Sequence, residues 1–471
     1  MVSFIIYDLI FLVLFTLAVV VFLYKKRHNL QRQGLLYLYR TKLGIKFIEW
    51  ATNKFRKTLS VLQYVVILSG YILMIGMVYL FFKFSYFYLT SPIAAEQLKV
   101  PVIVPLVPYL PEIFNLDFLP PFYFTYWIII IAIIAIPHEF AHGIFARLAK
   151  IKIHSTGFGF LGPFLAAFVE PDEKDMEKRS KKAQLAILAA GTFANIIVSI
   201  ILALLFFAFF VSSFSPAGVI FNTYASTTDN LSQINAVNGV IITDTSEIPN
   251  IINKSSSFTE VKLKGDNLSR FVQTSFLITA VENNIEEIPV VIDSPAFRAR
   301  LSGAISEIDG KKITSLNELT GTLQEYKAGD KIKIKTIKDS GEKEYEIELA
   351  EFEGRTFLGI GVIKPEARGV LGWLYKLIEK IKDPFIYYKS SLGNLGLFVY
   401  HLIWWSLLIS ISVALVNMLP LGIFDGGRFF YLTVAGITGS KSIGAKAFKL
   451  STYILSLTIV ALMVRWLFIF V

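Results

Sequence analysis

Phe122-Tyr-Phe-Thr-Tyr-Trp-Ile-Ile-Ile-Ile-Ala-Ile-Ile-Ala-Ile136 is followed, after Pro137, by His138-Glu139-Phe140-Ala141-His142. The first stretch carries no charge, and its polar groups are one Thr and two Tyr. Apolar character resumes at Gly143-Ile-Phe-Ala146. About 20 apolar residues cross a bilayer as a helix. Two imidazoles and a carboxylate inside such a segment are costly, and ionisable groups at that depth mark function by default. The fold must therefore bury this cluster inside a membrane.

Working outward, six apolar segments emerge: 3–24, 59–83, 122–148, 183–211, 394–416 and 447–470. The first has no basic stretch before it and reads as a retained helix rather than a cleaved signal. The net charge is +10, but the excess lies in short loops beside the spans. That is the positive-inside pattern, not a nucleic-acid footprint, and no nucleic-acid partner is expected. Segment 25–58 holds ten Lys or Arg and one acid, Glu49. It is expected inside and the N-terminus outside. The signs then alternate, with 84–121 outside, 149–182 inside, 212–390 outside and 417–446 inside. No cysteine is present, which excludes a disulfide framework and Cys-ligated zinc.

In a helix, positions i and i+4 share a face. His138 and His142 can then hold one metal, with Glu139 beside it as general base. His138 lies nine residues before Arg147, about 14 Å from the inner end of its span. A zinc site needs a third protein ligand and an open position. His28 in the basic loop, His154 past the inner end of the span and His401 near the opposite membrane face are poor candidates. Asp425, in Asn417-Met-Leu-Pro420-Leu-Gly-Ile-Phe-Asp425-Gly-Gly427, is better placed, at the inner end of the fifth span. Alone, Asp-Gly-Gly reads as an ordinary turn.

Together these residues resemble the site-2 protease family of intramembrane zinc metalloproteases. His138-Glu-x-x-His142 matches one motif, and Asn417-x-x-Pro420-x-x-x-x-Asp425-Gly426 the other. The resemblance implies that His138, His142 and Asp425 bind Zn2+, that Glu139 is catalytic, and that Asn417 helps hold substrate. Ala189-Ala-Gly-Thr-Phe-Ala-Asn195 resembles a third family region, with Thr192 where Pro is usual. It implies a substrate-side role for Asn195; plain hydrogen bonding to a neighbouring helix is the alternative. The expected substrates are transmembrane proteins within the lipid bilayer. Gly157-Phe-Gly-Phe-Leu-Gly-Pro163 reads either as a membrane-dipping hairpin, to whose edge an unwound substrate could add as a strand, or as a turn-rich loop. The loop holding Pro101, Pro105, Pro108, Pro111, Pro120 and Pro121 is either a lid or a packed external loop.

Asp293-Ser-Pro-Ala and Ser302-Gly303-Ala-Ile-Ser-Glu-Ile-Asp-Gly310-Lys resemble a PDZ domain, with Ser302-Gly303 replacing a longer link. Helix-like 315–326 and strands 331–337 and 343–350 continue the pattern. The resemblance implies that an extended peptide or substrate C-terminus binds there; a folded spacer is the alternative. The expected fold is a polytopic α-helical membrane protein of about six transmembrane helices with an inserted α/β or mainly-β PDZ-like soluble region. Its parts are 1–83, N-terminal helices; 84–211, catalytic core with H-E-x-x-H; 212–292, extracytoplasmic and open to a second PDZ-like unit; 293–365, PDZ-like; and 366–471, the second half of the core. Competing functions are a metal-binding membrane transporter and a catalytically silent scaffold. Glu139 beside His138 matches hydrolysis better than either.

Overall fold

In the computed structural model, the described residues are 4–34, 36–91, 103, 106–116, 119–162, 164–253, 255–265, 269–338, 341–364, 372, 376, 379 and 381–468. Pro101, Pro105 and Pro163 lie outside them. The chain divides into two compact units, one of residues 1–209 and 397–471, the other of residues 210–396.

In the first unit the helices are α1 (Phe4–Lys25), α2 (Ile45–Lys54), α3 (Arg56–Thr90), α4 (Phe124–Leu148), α5 (Lys181–Ser213), α6 (Gly393–Val416), α7 (Asp425–Ile437) and α8 (Lys441–Leu467). All but α2 and α7 are long and apolar enough to cross a membrane, making six such helices among the described residues. This is a multi-pass membrane architecture carrying an inserted sheet-rich unit. Pro137 lies within α4 and removes one backbone donor just before the histidines. Below the site, Val66 and Met74 of α3, Phe145 of α4, Ala189 and Ala190 of α5, Met418 of the segment after α6 and Phe429 of α7 pack into one buried cluster. Close approach is built from small residues: a Cβ on Gly70 of α3 would meet Ala189 at 2.9 Å.

The basic segment 25–58 is more than a loop. It contains β1 (Leu30–Gln33) and β2 (Leu36–Thr41), which pair antiparallel and extend the hairpin of β3 (Ile153–Leu161) and β4 (Phe164–Pro171) in the order β1-β2-β3-β4. The Gly157 region is thus a β-hairpin, turned at Gly162 with φ +58°. A Cβ on Gly157 would stand 2.2 Å from the Tyr39 carbonyl oxygen, so only glycine fits where β2 and β3 cross so closely. Arg40 clamps Glu170 with two hydrogen bonds of 2.8 and 2.9 Å, joining β2 to β4 across β3.

The second unit holds two six-stranded sheets. One pairs 226–230, 287–292, 270–273, 258–263, 234–237 and 240–241 in that spatial order. The other runs 341–348, 331–338, 304–308, 214–219, 386–390, with 311–312 beside 304–308. It therefore draws strands from both flanks of 293–365. In Lys331-Ile-Lys-Ile-Lys-Thr, Ile332, Ile334 and Thr336 are buried because successive strand side chains alternate between faces. Phe297 packs against Tyr224, Phe258 and Phe271 with ring centroids 4.5–5.3 Å away, joining the two sheets.

Candidate metal centre

Helix α4 sets His138 and His142 one turn apart on its buried side, with their Nε2 atoms 3.1 Å from each other. His142 Nδ1 lies 2.7 Å from the Ile187 carbonyl oxygen of α5. A carbonyl can only accept, so Nδ1 carries the proton and Nε2 keeps a lone pair. His138 Nδ1 stands 3.1 Å from the side-chain amide nitrogen, Nδ2, of the fully buried Asn195. The two ends of that amide have nearly the same shape. If Oδ1 faces His138, it accepts from Nδ1–H and frees Nε2 as well; it also supplies Oδ1, otherwise without a partner, with a donor.

The third member, Asp425, is the first residue of α7. Gly426 N–H donates to the Asn417 carbonyl at 2.8 Å, closing the loop that begins with Asn417 and ends with Asp425. A Cβ on Gly426 would lie 2.3 Å from the Met418 carbonyl carbon, and one on Gly427 2.5 Å from the Leu421 oxygen. Asp-Gly-Gly is therefore the tight start of α7 rather than a free turn. The start of a helix favours an acid, and Asp425 occupies it. Asp425 Oδ2 stands 3.5 Å from His138 Nε2 and 3.3 Å from His142 Nε2.

These separations carry chemical meaning. Ligands about 2.0–2.1 Å from a tetrahedral zinc stand about 3.3 Å from each other. The observed edges of 3.1, 3.3 and 3.5 Å bracket that value. The three side chains form a group that could hold a metal ion. Gly191 of α5 covers the histidines: a Cβ there would lie 2.3 Å from His142 Nε2 and 2.6 Å from His138 Nε2. Its neighbour Thr192 donates its hydroxyl to the Ala189 carbonyl at 3.0 Å, and α5 continues unbroken where proline was expected.

Glu139, next to His138 on α4, accepts through Oε2 from Val169 N–H of β4 at 3.0 Å. A 270 Å³ cavity opens here, lined by His138, Glu139, Asn417, Ile134, and by Leu165 and Ala167 of β4. Strand residues of one parity turn their N–H and C=O to the same edge. Since Val169 N–H faces Glu139, the backbones of Leu165 and Ala167 face this cavity, away from β3. Asn417 thus lies at the cavity, whereas Asn195 lies behind His138 and outside the cavity lining. His28 sits in an exposed turn after α1, His154 pairs with Asp172 at 3.2 Å, and His401 lies within α6. None joins the group.

Residues 126–462, well over half of the chain, match Peptidase family M50. The chain belongs to peptidase family M50, the site-2 protease family. M50 proteases are zinc metalloproteases, in keeping with a metal-ready group of two histidines and an aspartate. Two curated relatives are similar over part of their length. The uncharacterized protein MJ0971 of Methanocaldococcus jannaschii is 30% identical over 170 residues, covering 35% of this chain and 41% of that protein. Zinc metalloprotease RasP of Geobacillus kaustophilus is 24% identical over 178 residues, covering 31% of this chain and 42% of that protein. The chain thus aligns with about two fifths of the length of either. Within this M50 chain, two structural features go beyond the motif reading. Gly191 belongs to the Ala189–Asn195 motif, but its place against the histidines is revealed only by packing. Asp8 of α1, an acid inside an apolar span, carries the same cost signal as His138 but no local motif. It is 2% exposed and accepts from Phe124 N–H at 2.8 Å, Thr125 N–H at 3.0 Å, the Thr125 hydroxyl, and the Tyr109 hydroxyl at 2.5 Å.

Proposed function

We propose that this chain is an intramembrane zinc endopeptidase that hydrolyses peptide bonds within or near transmembrane segments of other membrane proteins. The observation that carries the reading is the His138–His142–Asp425 triangle with Glu139 at the neighbouring cavity. His138, His142 and Asp425 would hold the zinc, and Asn195 would orient His138 through Nδ1. Zinc, when bound, supplies Lewis acidity toward the scissile carbonyl and makes water easier to deprotonate. Glu139 takes a proton from the attacking water and delivers it to the departing amide nitrogen. Val169 N–H holds the Glu139 carboxylate toward the cavity between those transfers.

A substrate helix hides its carbonyls in its own hydrogen bonds and must unwind before attack. The outward edge of β4 at Leu165 and Ala167 offers a backbone template for the unwound stretch, as in other strand-addition complexes. Asn417, on the facing wall, would hold the strand from the other side. The polar sheet unit is proposed to lie outside the membrane with the N-terminus, and the metal group toward the cytoplasmic end of α4. Within that unit, a 740 Å³ groove between helix 316–324 and residues 360–362, lined by Leu316, Leu319, Leu323 and Ile360, suits an extended peptide, in a PDZ-like manner. Glu139 favours hydrolysis over metal transport, because a permeation path has no use for a base fixed by an edge-strand amide.

The test is Glu139→Gln in purified, reconstituted protein with a helical membrane substrate. Zinc content should stay at the wild-type level while cleavage is lost. Cleavage at the wild-type rate by the Gln variant would overturn the mechanism.

A further inference from the structure

The short helix α2 is packed on one side only. It turns Ile48, Ala51 and Thr52 inward. Ile48 meets Gly143 of α4, and the Thr52 hydroxyl reaches the Ile144 carbonyl at 3.3 Å. The other side is apolar and open: Leu43 is 72% exposed, Phe47 49%, Trp50 50% and Phe55 45%. Trp50 stands 5.6 Å from Phe47 and 6.0 Å from Phe55, ring centre to ring centre. Exposed Lys42, Lys46, Lys54, Arg56 and Lys57 surround this aromatic strip. Lys54 lies over the Trp50 ring, 4.9 Å from its centre. The single acid of the stretch, Glu49, is already engaged by Arg147 at 2.9 Å.

Amphipathic segments that rest in the headgroup layer combine apolar rings with flanking cations. Tryptophan and tyrosine collect at that layer, and lysine stems can lie along the apolar face while their ammonium groups reach the phosphates. The location agrees. α1 ends at Lys25 and α3 begins at Arg56, so α2 sits between the charged ends of two apolar helices. We propose that α2 is an interfacial helix whose Phe47–Trp50–Phe55 face seats in the leaflet at that end of α1 and α3, and whose lysines bind anionic lipid headgroups. The charge balance commits the occupant: five cations are exposed, and the one acid within residues 42–57, Glu49, is paired with Arg147. This seat is joined to the metal helix. Phe47 lies 5.7 Å from Phe140, the central residue of His138–His142, and a Cβ on Gly44 would strike the Phe140 ring at 2.7 Å.

The experiment reads the lipid directly and does not depend on proteolysis. Full-length protein is reconstituted into vesicles of phosphatidylcholine with a minor share of phosphatidylglycerol, and one lipid at a time carries brominated acyl chains. Trp50 emission is the difference between wild type and Trp50→Phe. Brominated phosphatidylglycerol, at equal mole fraction, should quench it about threefold more than brominated phosphatidylcholine, because basic residues at the surface enrich anionic lipid. Replacing Lys42, Lys46, Lys54 and Lys57 by Gln should bring the ratio to about one while quenching by brominated phosphatidylcholine persists. Should that variant fail to fold, salt on wild type serves instead, lowering the ratio as screening grows. Equal quenching by the two lipids in wild type sinks the proposal. So does full access of an aqueous quencher to Trp50, or protection that follows protein concentration rather than lipid, which would indicate a second copy on this face.

Discussion

Val169 N–H donates to Glu139 Oε2 at 3.0 Å, tying an edge strand to the acid of the H-E-x-x-H helix. The bond holds the carboxylate at the cavity that His138 also lines. Val169→Pro removes this donor at an edge position, where a sheet tolerates proline best. Partners that orient catalytic groups typically cost about 10–100-fold when lost. The expected result is a fall of about that size in cleavage rate at unchanged zinc content, with Val169→Ala, which keeps the N–H, close to wild type. Equal rates for the Pro and Ala variants would remove the bond from the mechanism.

Gly191 is a cover over the histidines. An alanine Cβ would stand 2.3 Å from His142 Nε2, closer than any non-bonded contact allows, so either α5 or His142 must move. Gly191→Ala should therefore bind well under one equivalent of zinc by elemental analysis. Gly76→Ala on α3, where a Cβ meets nothing within 4 Å, should bind as wild type does. Full zinc loading of the Gly191 variant would mean that the helices shift at little cost.

Asn195 separates two orientations of one amide. If Oδ1 accepts from His138 Nδ1–H, Asn195→Asp keeps an acceptor and should retain zinc, while Asn195→Leu should weaken zinc affinity about 10–100-fold. Competition against a chelator measures both. Affinity lost in the Asp variant and kept in the Leu variant would reverse the assignment.

How far these features were legible in the sequence depends on how local their causes are. The six long helices follow from apolar length alone, and His138-Glu-x-x-His142 follows from the turn of one helix. The hairpin at 30–41 was hidden because its partner β3 lies more than a hundred residues away, and its ten-cation surroundings read as a solvated loop. Helix α7 was hidden by its first residues: Gly426 and Gly427 signal a turn in sequence. In three dimensions they are there because the Met418 and Leu421 carbonyls leave no room for a Cβ. Asn195 was visible as a polar residue in a span. Which neighbour it serves is decided by the packing of α5 on α4.

Asp8 fastens α1 to the first turn of α4. The carboxylate accepts from two backbone amides and two hydroxyls while 2% exposed. Hydrogen bonds to a buried charge are worth about 1.5–3 kcal/mol each when broken. Asp8→Leu leaves all four donors unmet and should lower the thermal midpoint in detergent clearly more than Asp8→Asn, which keeps one acceptor. Zinc content at low temperature should be unchanged in both, since the metal group lies at the other half of α4. Equal midpoints for Leu and wild type would show that α1 is held by apolar contacts alone.

The Arg40–Glu170 clamp predicts a pH dependence of known sign. Hydrogen bonds from the Arg40 guanidinium, with help from the Ser155 hydroxyl, hold the Glu170 carboxyl at about 2, against the opposing effect of partial burial. An unfolded glutamate titrates near 4.3. The folded value is the lower one, so the clamp contributes fully above about 4.3 and is lost as pH falls toward about 2. Both side chains are partly exposed, 29% and 38%, so solvent screening keeps the effect small. The measurement is the midpoint difference between wild type and Glu170→Gln from pH 6 downward, which cancels the other carboxylates. It should be constant above about pH 5 and shrink steadily below about 4.3. Arg40→Gln should flatten most of the acid-side slope, because without the guanidinium, the largest of the lowering causes, the Glu170 carboxyl moves back toward its unfolded value. A midpoint difference that stays level down to pH 2.5 would mean that the clamp does not join β2 to β4 in solution.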